Sequence, residues 1–335
     1  MAFKGWPRVD IMTAEGVKSG IAPLIISASR ATDVPSFYGE WFMRRLQAGY
    51  LCWKNPFNAG CYQYVSLKAV RAIVFWTKNS EPFERELDVL EASGYCYYFL
   101  FTLNDYGLEG LEPGIPALAK RIDSFRRLSR RIGRSRVIWR YDPLVLGGGL
   151  DVEEHLLRIG RIGEQLEGYT EKLVFSLADI DTYGSVPRKL QKHGFNWRNF
   201  TMPDRERLAL GLKKLCAERG LQVASCAEKP DFRQWGIPAN SCIDGGLMLR
   251  IKPEDTVLRQ FLNGNAEKTA SLFGPYAVQR LKDRGQRNPC GCIAGKDIGQ
   301  YNTCPHGCVY CYANNRPNLV ERNWQRHDKE GGTIC

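Results

Sequence analysis

Along the first 230 positions, apolar residues gather in short β-branched and aromatic runs. Each run is closed by polar residues and is usually followed by a stretch with helical spacing. Seven runs predict strands: Leu24–Ser29, Tyr50–Trp53, Ala72–Trp76, Tyr95–Thr102, Arg136–Arg140, Lys172–Leu177 and Gln222–Cys226. Their apolar residues are continuous rather than alternating, the pattern of strands buried on both faces. Between them the spacing predicts helices over Phe37–Ala48, Pro82–Ser93, Ile115–Ile132, Val152–Glu167 and Asp204–Arg219, the last capped by Asp204 and stopped at Gly220. Strands that alternate with helices need crossover connections, so a parallel sheet is expected.

A closed barrel and an open doubly wound sheet share this pattern. No GxGxxG or GxxxxGK string follows any strand, and polar residues recur at nearly every strand end. The expected fold is therefore an α/β, TIM-type (β/α) barrel, complete or nearly so, over residues 1–250, with Ser241–Asp244 as a weak eighth strand. A helical segment over 251–285 should follow, with Leu272, Tyr276 and Leu281 on one side of a helix over Ala266–Arg284. The cysteine-rich residues 286–335 are then expected to cover the barrel mouth.

In a barrel, the strand ends ring the mouth where activity sits. Arg140 and Asp142 lie two residues apart on one strand face, so Arg140 suits a carboxylate or phosphate and Asp142 a ribose. With Lys78 as a second cation, these three are the candidate catalytic residues. Ser29, Arg30, Asp33 and Asn104, from neighbouring strand ends, are candidate cofactor contacts. The alternative is that Arg140–Asp142 and Arg30–Asp33 are internal ion pairs that orient the loops. Trp53, Trp76 and Trp139 suit stacking on an adenine or packing in the core.

Composition narrows the class. The chain of 335 residues is 44% hydrophobic and 25% charged, which excludes disordered, collagen-like and coiled-coil chains. The longest apolar run, Tyr95–Phe101, falls far short of the roughly 20 residues of a membrane helix. With no apolar leader at the start, a cytoplasmic protein that avoids the membrane is expected. The net charge of +11 favours anionic partners, whether a small molecule or a nucleic acid. Lys120–Arg140 holds nine basic residues against the single acid Asp123. Leu118, Ile122, Phe125 and Ile132 form the buried stripe there, so the arginines should face water, as a solvated surface or a nucleic-acid footprint. Arg280–Lys329 is also basic, with nine cations against four acids.

Twelve cysteines are many for a cytosolic chain, where clustered thiols bind metal or do chemistry more often than they form disulfides. Cys304, Cys308 and Cys311 have CxxxCxxC spacing, which can wrap three irons of a 4Fe–4S cluster and leave the fourth iron open. An open iron can chelate S-adenosylmethionine, and with Tyr310 before the last cysteine the string carries the radical SAM signature. A zinc ion with His306 as fourth ligand is the alternative. Cys226, Cys242, Cys290 and Cys292 would meet if the tail folds back over the mouth, as a second cluster or a zinc site. Cys52, Cys61, Cys96 and Cys216 read as core residues, and Cys335 as idle.

The strings IISASRATDVPSFYGEWFMRRLQAGY, NPFN, VFWTKNSEPF, YYFLFTLNDY, RVIWRYDPL and CGCIAGKDIGQYNTCPHGCVYCYANN together resemble the family catalogued as domain of unknown function 1848. The resemblance implies a radical-SAM-like iron–sulfur protein and an electron donor such as flavodoxin or ferredoxin. It also marks Tyr310 as a cofactor contact. Locally, CPHGCVYCYA is similar to the cluster loop of spore photoproduct lyase, whose substrate is damaged DNA. In most radical SAM enzymes that loop follows the first strand; here it follows the last, as in phosphomethylpyrimidine synthase.

Overall fold

The computed structural model describes residues 3–55, 58, 60–178, 180–182, 184–229, 231–263, 281–282, 286–287 and 289–335. The elements begin with β1 (Arg8–Thr13), β2 (Gly16–Ile21), β3 (Ile25–Ala28), α1 (Val34–Phe37), α2 (Gly39–Ala48), β4 (Tyr50–Lys54), β5 (Tyr62–Ser66) and β6 (Ala72–Thr77). Next come α3 (Leu87–Ala92), β7 (Cys96–Thr102), α4 (Leu118–Ile132), β8 (Val137–Leu144), β9 (Leu146–Gly147), α5 (Val152–Leu166), β10 (Lys172–Leu177) and α6 (Val186–Lys192). The chain continues with β11 (Trp197–Arg198), α7 (Met202–Glu218), β12 (Gln222–Ser225), α8 (Gly245–Ile251), α9 (Thr256–Asn263), β13 (Lys296–Asp297) and α10 (Pro317–Gln325).

Six of the expected strands lie in one seven-stranded sheet of order β12-β10-β8-β7-β6-β3-β13, and every pair in it is parallel. The two edges, β12 and β13, do not pair with each other, so the sheet is open and the expected closed barrel is not formed. The physical reason lies on the second face. One face, with Ile73, Phe75, Phe99 and Trp139, is covered by α1–α7. The other, with Ile25, Val74, Tyr98 and Ile138, is filled by Met248 of α8, Leu258 and Leu262 of α9, and by Cys292 and Ile293. Helices therefore occupy the space around which a barrel would have closed. The layout is a three-layered, Rossmann-like α/β arrangement. Continuous apolar runs were the right signal for strands buried on both faces, but they do not report what covers each face.

Other expectations change in detail. Ser241–Asp244 is a loop, not a strand. Tyr50–Trp53 is a strand, but β4 pairs antiparallel with β5 in a separate sheet of order β1-β2-β5-β4. The cap of α7 is Thr201, with Asp204 at the third helical position completing a capping box. The Pro82–Ser93 stretch starts as a 3-10 turn over Glu81–Glu86 before α3. The helix read over Ala266–Arg284 falls, apart from Leu281 and Lys282, outside the described residues. Among the described residues, no helix is long and apolar enough to cross a membrane.

On α4, Arg121 turns inward and is buried, contrary to the water-facing arginine surface expected there. The others are engaged at the surface: Arg126 Nε donates to Gln165 O, Arg127 pairs with Glu84, Arg130 donates to Tyr169 and Arg131 pairs with Asp88.

Candidate functional site

The carboxyl ends of β3, β6, β7, β8, β10 and β12 open into one cavity of about 370 Å³, within the usual range for ligand sites. Its walls include Lys78, Arg140 and Asp142 from strand ends, the loop cysteines Cys304, Cys308 and Cys311, and the four cysteines Cys226, Cys242, Cys290 and Cys292.

The tail is clipped to the sheet by Asp297 of β13. Its carboxylate accepts from Ser27 Oγ at 3.0 Å, Ser29 Oγ at 2.6 Å, the Arg30 backbone N–H at 3.0 Å and the Gly299 N–H at 3.0 Å. Arg30 Nε completes an ion pair at 3.3 Å. Burial opposes ionisation of Asp297, yet Arg30 and these donors hold its carboxyl below the usual range. Ser29 and Arg30, expected as cofactor contacts, thus spend polar atoms on the clip. The partner of Arg30 is Asp297 and not Asp33.

Asp33 also has internal work. Oδ1 caps α1 through Ser36 N–H at 3.0 Å, while Oδ2 accepts from Lys78 N–H at 2.7 Å and lies 2.8 Å from His306 Nε2. The other ring nitrogen of His306 is 3.3 Å from Gly114 O. With both nitrogens engaged, His306 is not placed as the fourth metal ligand that spacing allowed.

A second buried network joins the tail to the strand ends. Glu112 Oε1 accepts from Lys78 Nζ at 2.7 Å and Asn104 Nδ2 at 3.0 Å, and Tyr310 OH also donates to it. Lys78 Nζ reaches Tyr310 OH at 3.0 Å, and Arg121 Nη1 is 3.7 Å from Glu112 Oε2. Burial opposes the charge on Glu112, but Lys78 and Arg121 hold its carboxyl below its ordinary value. For Lys78, burial opposes the charge and Glu112 more than restores it, so its pKa is raised. Asn104 and Tyr310, expected to touch cofactor, are tied together here at 3.2 Å.

Arg140 is 3% exposed. Its Nη2 pairs with Asp142, its Nη1 donates to Cys242 Sγ at 2.9 Å, and its guanidinium lies over Trp76, 4.6 Å from the ring centroid. The internal ion pair and the cavity-facing position coexist: Arg140 borders the cavity, and its Nε is buried without a partner among the described residues. Trp53 and Trp139 donate to Gly299 O and Leu103 O, at 2.9 and 3.2 Å, so both serve packing.

Both cysteine groups border the cavity. Cys304, Cys308 and Cys311 sit on the tail loop, where burial pushes the Cys304 thiol up to about 12 and that of Cys308 well above its ordinary value. Cys226, Cys242, Cys290 and Cys292 gather beside Arg140, with Cys226 and Cys242 sulfurs 3.5 Å apart. Among the described residues, no three His, Cys, Asp or Glu side chains converge as ligands of a single ion. Of the expected core cysteines, Cys96 and Cys216 are buried, but Cys61 is exposed and Cys52 half-buried. Cys335 is engaged: its Sγ donates to Gln300 Oε1 at 2.9 Å.

Glu112, Asp297 and Lys189 were not singled out from the sequence. Lys189 of α6 donates to the carbonyls of Cys311 and of Asn314, the latter at 3.0 Å, and so holds the end of the cysteine loop. Asp297 carried a usable signal, an acid between Gly295 and Gly299 where chains approach closely; Glu112 and Lys189 carried none.

An open parallel α/β sheet with a cysteine loop folded over its carboxyl edge defines the class of this protein. A family model described as "Domain of unknown function (DUF1848)" matches residues 25–313, and the chain belongs to that family. No curated protein and no solved structure matches it.

Proposed function

We propose that the protein is a radical S-adenosylmethionine enzyme whose loop cysteines Cys304, Cys308 and Cys311 hold a 4Fe–4S cluster, and that its substrate is anionic. The observation that carries the reading is one cavity lined by all three loop cysteines together with Lys78 and Arg140. The residues fit such a cluster. The three thiols border one cavity, and burial keeps the Cys304 thiol protonated until a metal cation supplies the missing charge. His306 is committed elsewhere, so the loop offers three protein ligands. Bound there, the cluster with S-adenosylmethionine supplies one-electron reduction of the sulfonium and a carbon radical that takes hydrogen from the substrate.

The chain's own residues position and exclude. Arg140 borders the cavity as a cation for a carboxylate or phosphate, while Asp142 fixes its guanidinium. Tyr310 and Tyr312 wall the cavity and limit the entry of water, which would quench a radical. A small anion suits the site better than a nucleic acid, because the α4 arginines are engaged within the chain. The electron would come from a flavodoxin or ferredoxin.

Anaerobic reconstitution followed by EPR tests this reading. The expected result is a reduced-cluster spectrum that changes when S-adenosylmethionine is added, with slow release of 5′-deoxyadenosine. Alanine at Cys304, Cys308 and Cys311 should abolish both. A loop that binds zinc, or a cluster indifferent to S-adenosylmethionine, would overturn the proposal.

A further inference from the structure

Four cysteines far apart in sequence border the same cavity as the loop. Cys226 follows β12, Cys242 lies in the 239–244 loop, and Cys290 and Cys292 precede β13. We propose that these four form a second metal site, a tetrathiolate centre separate from the CxxxCxxC loop.

The four border one cavity. The Cys226 and Cys242 sulfurs are 3.5 Å apart, the Cys242 backbone N–H lies 3.1 Å from the Cys292 sulfur, and Cys290 is two residues from Cys292. Two thiolates on a tetrahedral zinc with bonds of about 2.3 Å lie about 3.8 Å apart, close to the first of these separations. The donors around the sulfurs point the same way. Cys242 Sγ receives Arg140 Nη1 at 2.9 Å and Asn240 Nδ2 at 3.1 Å. Cys292 Sγ receives the backbone N–H groups of Cys242 at 3.1 Å and Ile243 at 3.3 Å. Two donors on each of two buried sulfurs, one of them a guanidinium, match thiolates and not neutral thiols, which accept weakly. Arg140 also supplies positive charge against the net negative charge of a metal held by four thiolates. Because these side chains do not converge on one point, a lone ion binds after side-chain rotation, whereas the ligands of an iron–sulfur cluster need not converge so. All four cysteines line the cavity, which gives the metal its route of entry.

The test uses the full chain carrying alanine at Cys304, Cys308 and Cys311, purified without oxygen, with zinc, iron and acid-labile sulfide measured per chain. About one zinc without sulfide marks a mononuclear site, and iron with matching sulfide marks a cluster. Either supports the proposal if Cys242→Ser and Cys292→Ser reduce the metal to background. Cys290→Ser, at a half-buried position, serves as a second variant should those fail to fold. Absence of metal in the triple variant, metal that survives all three serine variants, or a Cys226–Cys242 disulfide in its place would overturn the proposal. The loop cysteines are absent from this protein, so the result stands apart from the fate of the radical reading.

Discussion

Replacing Glu112 by Gln keeps the side chain's size and its acceptor for Asn104 and Tyr310, but removes the charge facing Lys78 at 2.7 Å and Arg121 at 3.7 Å. The side chains of Glu112, Arg121 and Lys78 are 3%, 5% and 16% exposed, so water replaces the lost carboxylate at most in part. Breaking a buried pair by removing one partner costs about 3–5 kcal/mol. Lys78 borders the cavity and can be partly rehydrated there, which points to the lower end, about 3 kcal/mol. Unfolding entropy of about 2.1 cal/mol/K per residue amounts to about 0.7 kcal/mol/K for this chain, so Tm should fall by about 4 °C. Scanning calorimetry reads that shift. A double-mutant cycle with Lys78→Met isolates the pair, and a coupling above about 1 kcal/mol is expected. A variant within about 1 °C of wild type, or a coupling below about 0.5 kcal/mol, would refute the reasoning.

His155 is fully buried between Val145 O and Tyr141 OH, and burial lowers its pKa from 6.5 to about 4. As pH falls through 6.5 the unfolded chain takes up a proton that the fold refuses, so about 3 kcal/mol of stability is lost by pH 4. His155→Gln should flatten the dependence of denaturation midpoint on pH in that window, and parallel curves would contradict the assignment. Gly299→Ala would drive its Cβ into the Ser29 side chain and to 3.2 Å from Ala31 Cβ. Loss of about 1–3 kcal/mol and faster proteolysis of the tail are expected, and unchanged proteolysis would argue against the clip. Gly114→Ala would place its Cβ 2.6 Å from His306 O, so the loop should shift and bind less iron on reconstitution, with full iron content as the contrary result. Cys61, exposed, should react with a maleimide in the native protein, whereas Cys96 and Cys216, pushed up to about 12 by burial, should react only after unfolding. Equal native rates would show that the burial pattern is wrong.

Six strands of the large sheet were legible because residues buried on both faces leave uninterrupted apolar runs, as in Ala72–Trp76 and Tyr95–Thr102; the two-residue β13 was not. The N-terminal hairpin was not, because RVDIMT and GVKSGI are mostly exposed and mix charge with apolar residues. At the site, Ser29, Arg30, Asp33, Asn104, Arg140 and Asp142 were found by their place at strand ends, and each does border or support the cavity. Their partners were hidden. Asp297 lies 268 positions from Ser29, and Tyr310 lies 198 from Glu112.

The chain by itself determined where six of the large sheet's seven strands and helices α2, α3, α4, α5 and α7 run, and that three thiols sit at CxxxCxxC spacing, since both depend on residues within a turn or two of each other. Only the tertiary structure decided that the sheet stays open and that Asp297 ties down the tail. It also decided that Arg140 faces Cys242 as well as Asp142, and that four scattered cysteines border one cavity. Periodicity records how each segment divides its surface between core and water. It is silent about which distant surface fills the other side, and here α8, α9 and the returning tail take the place of a closing barrel.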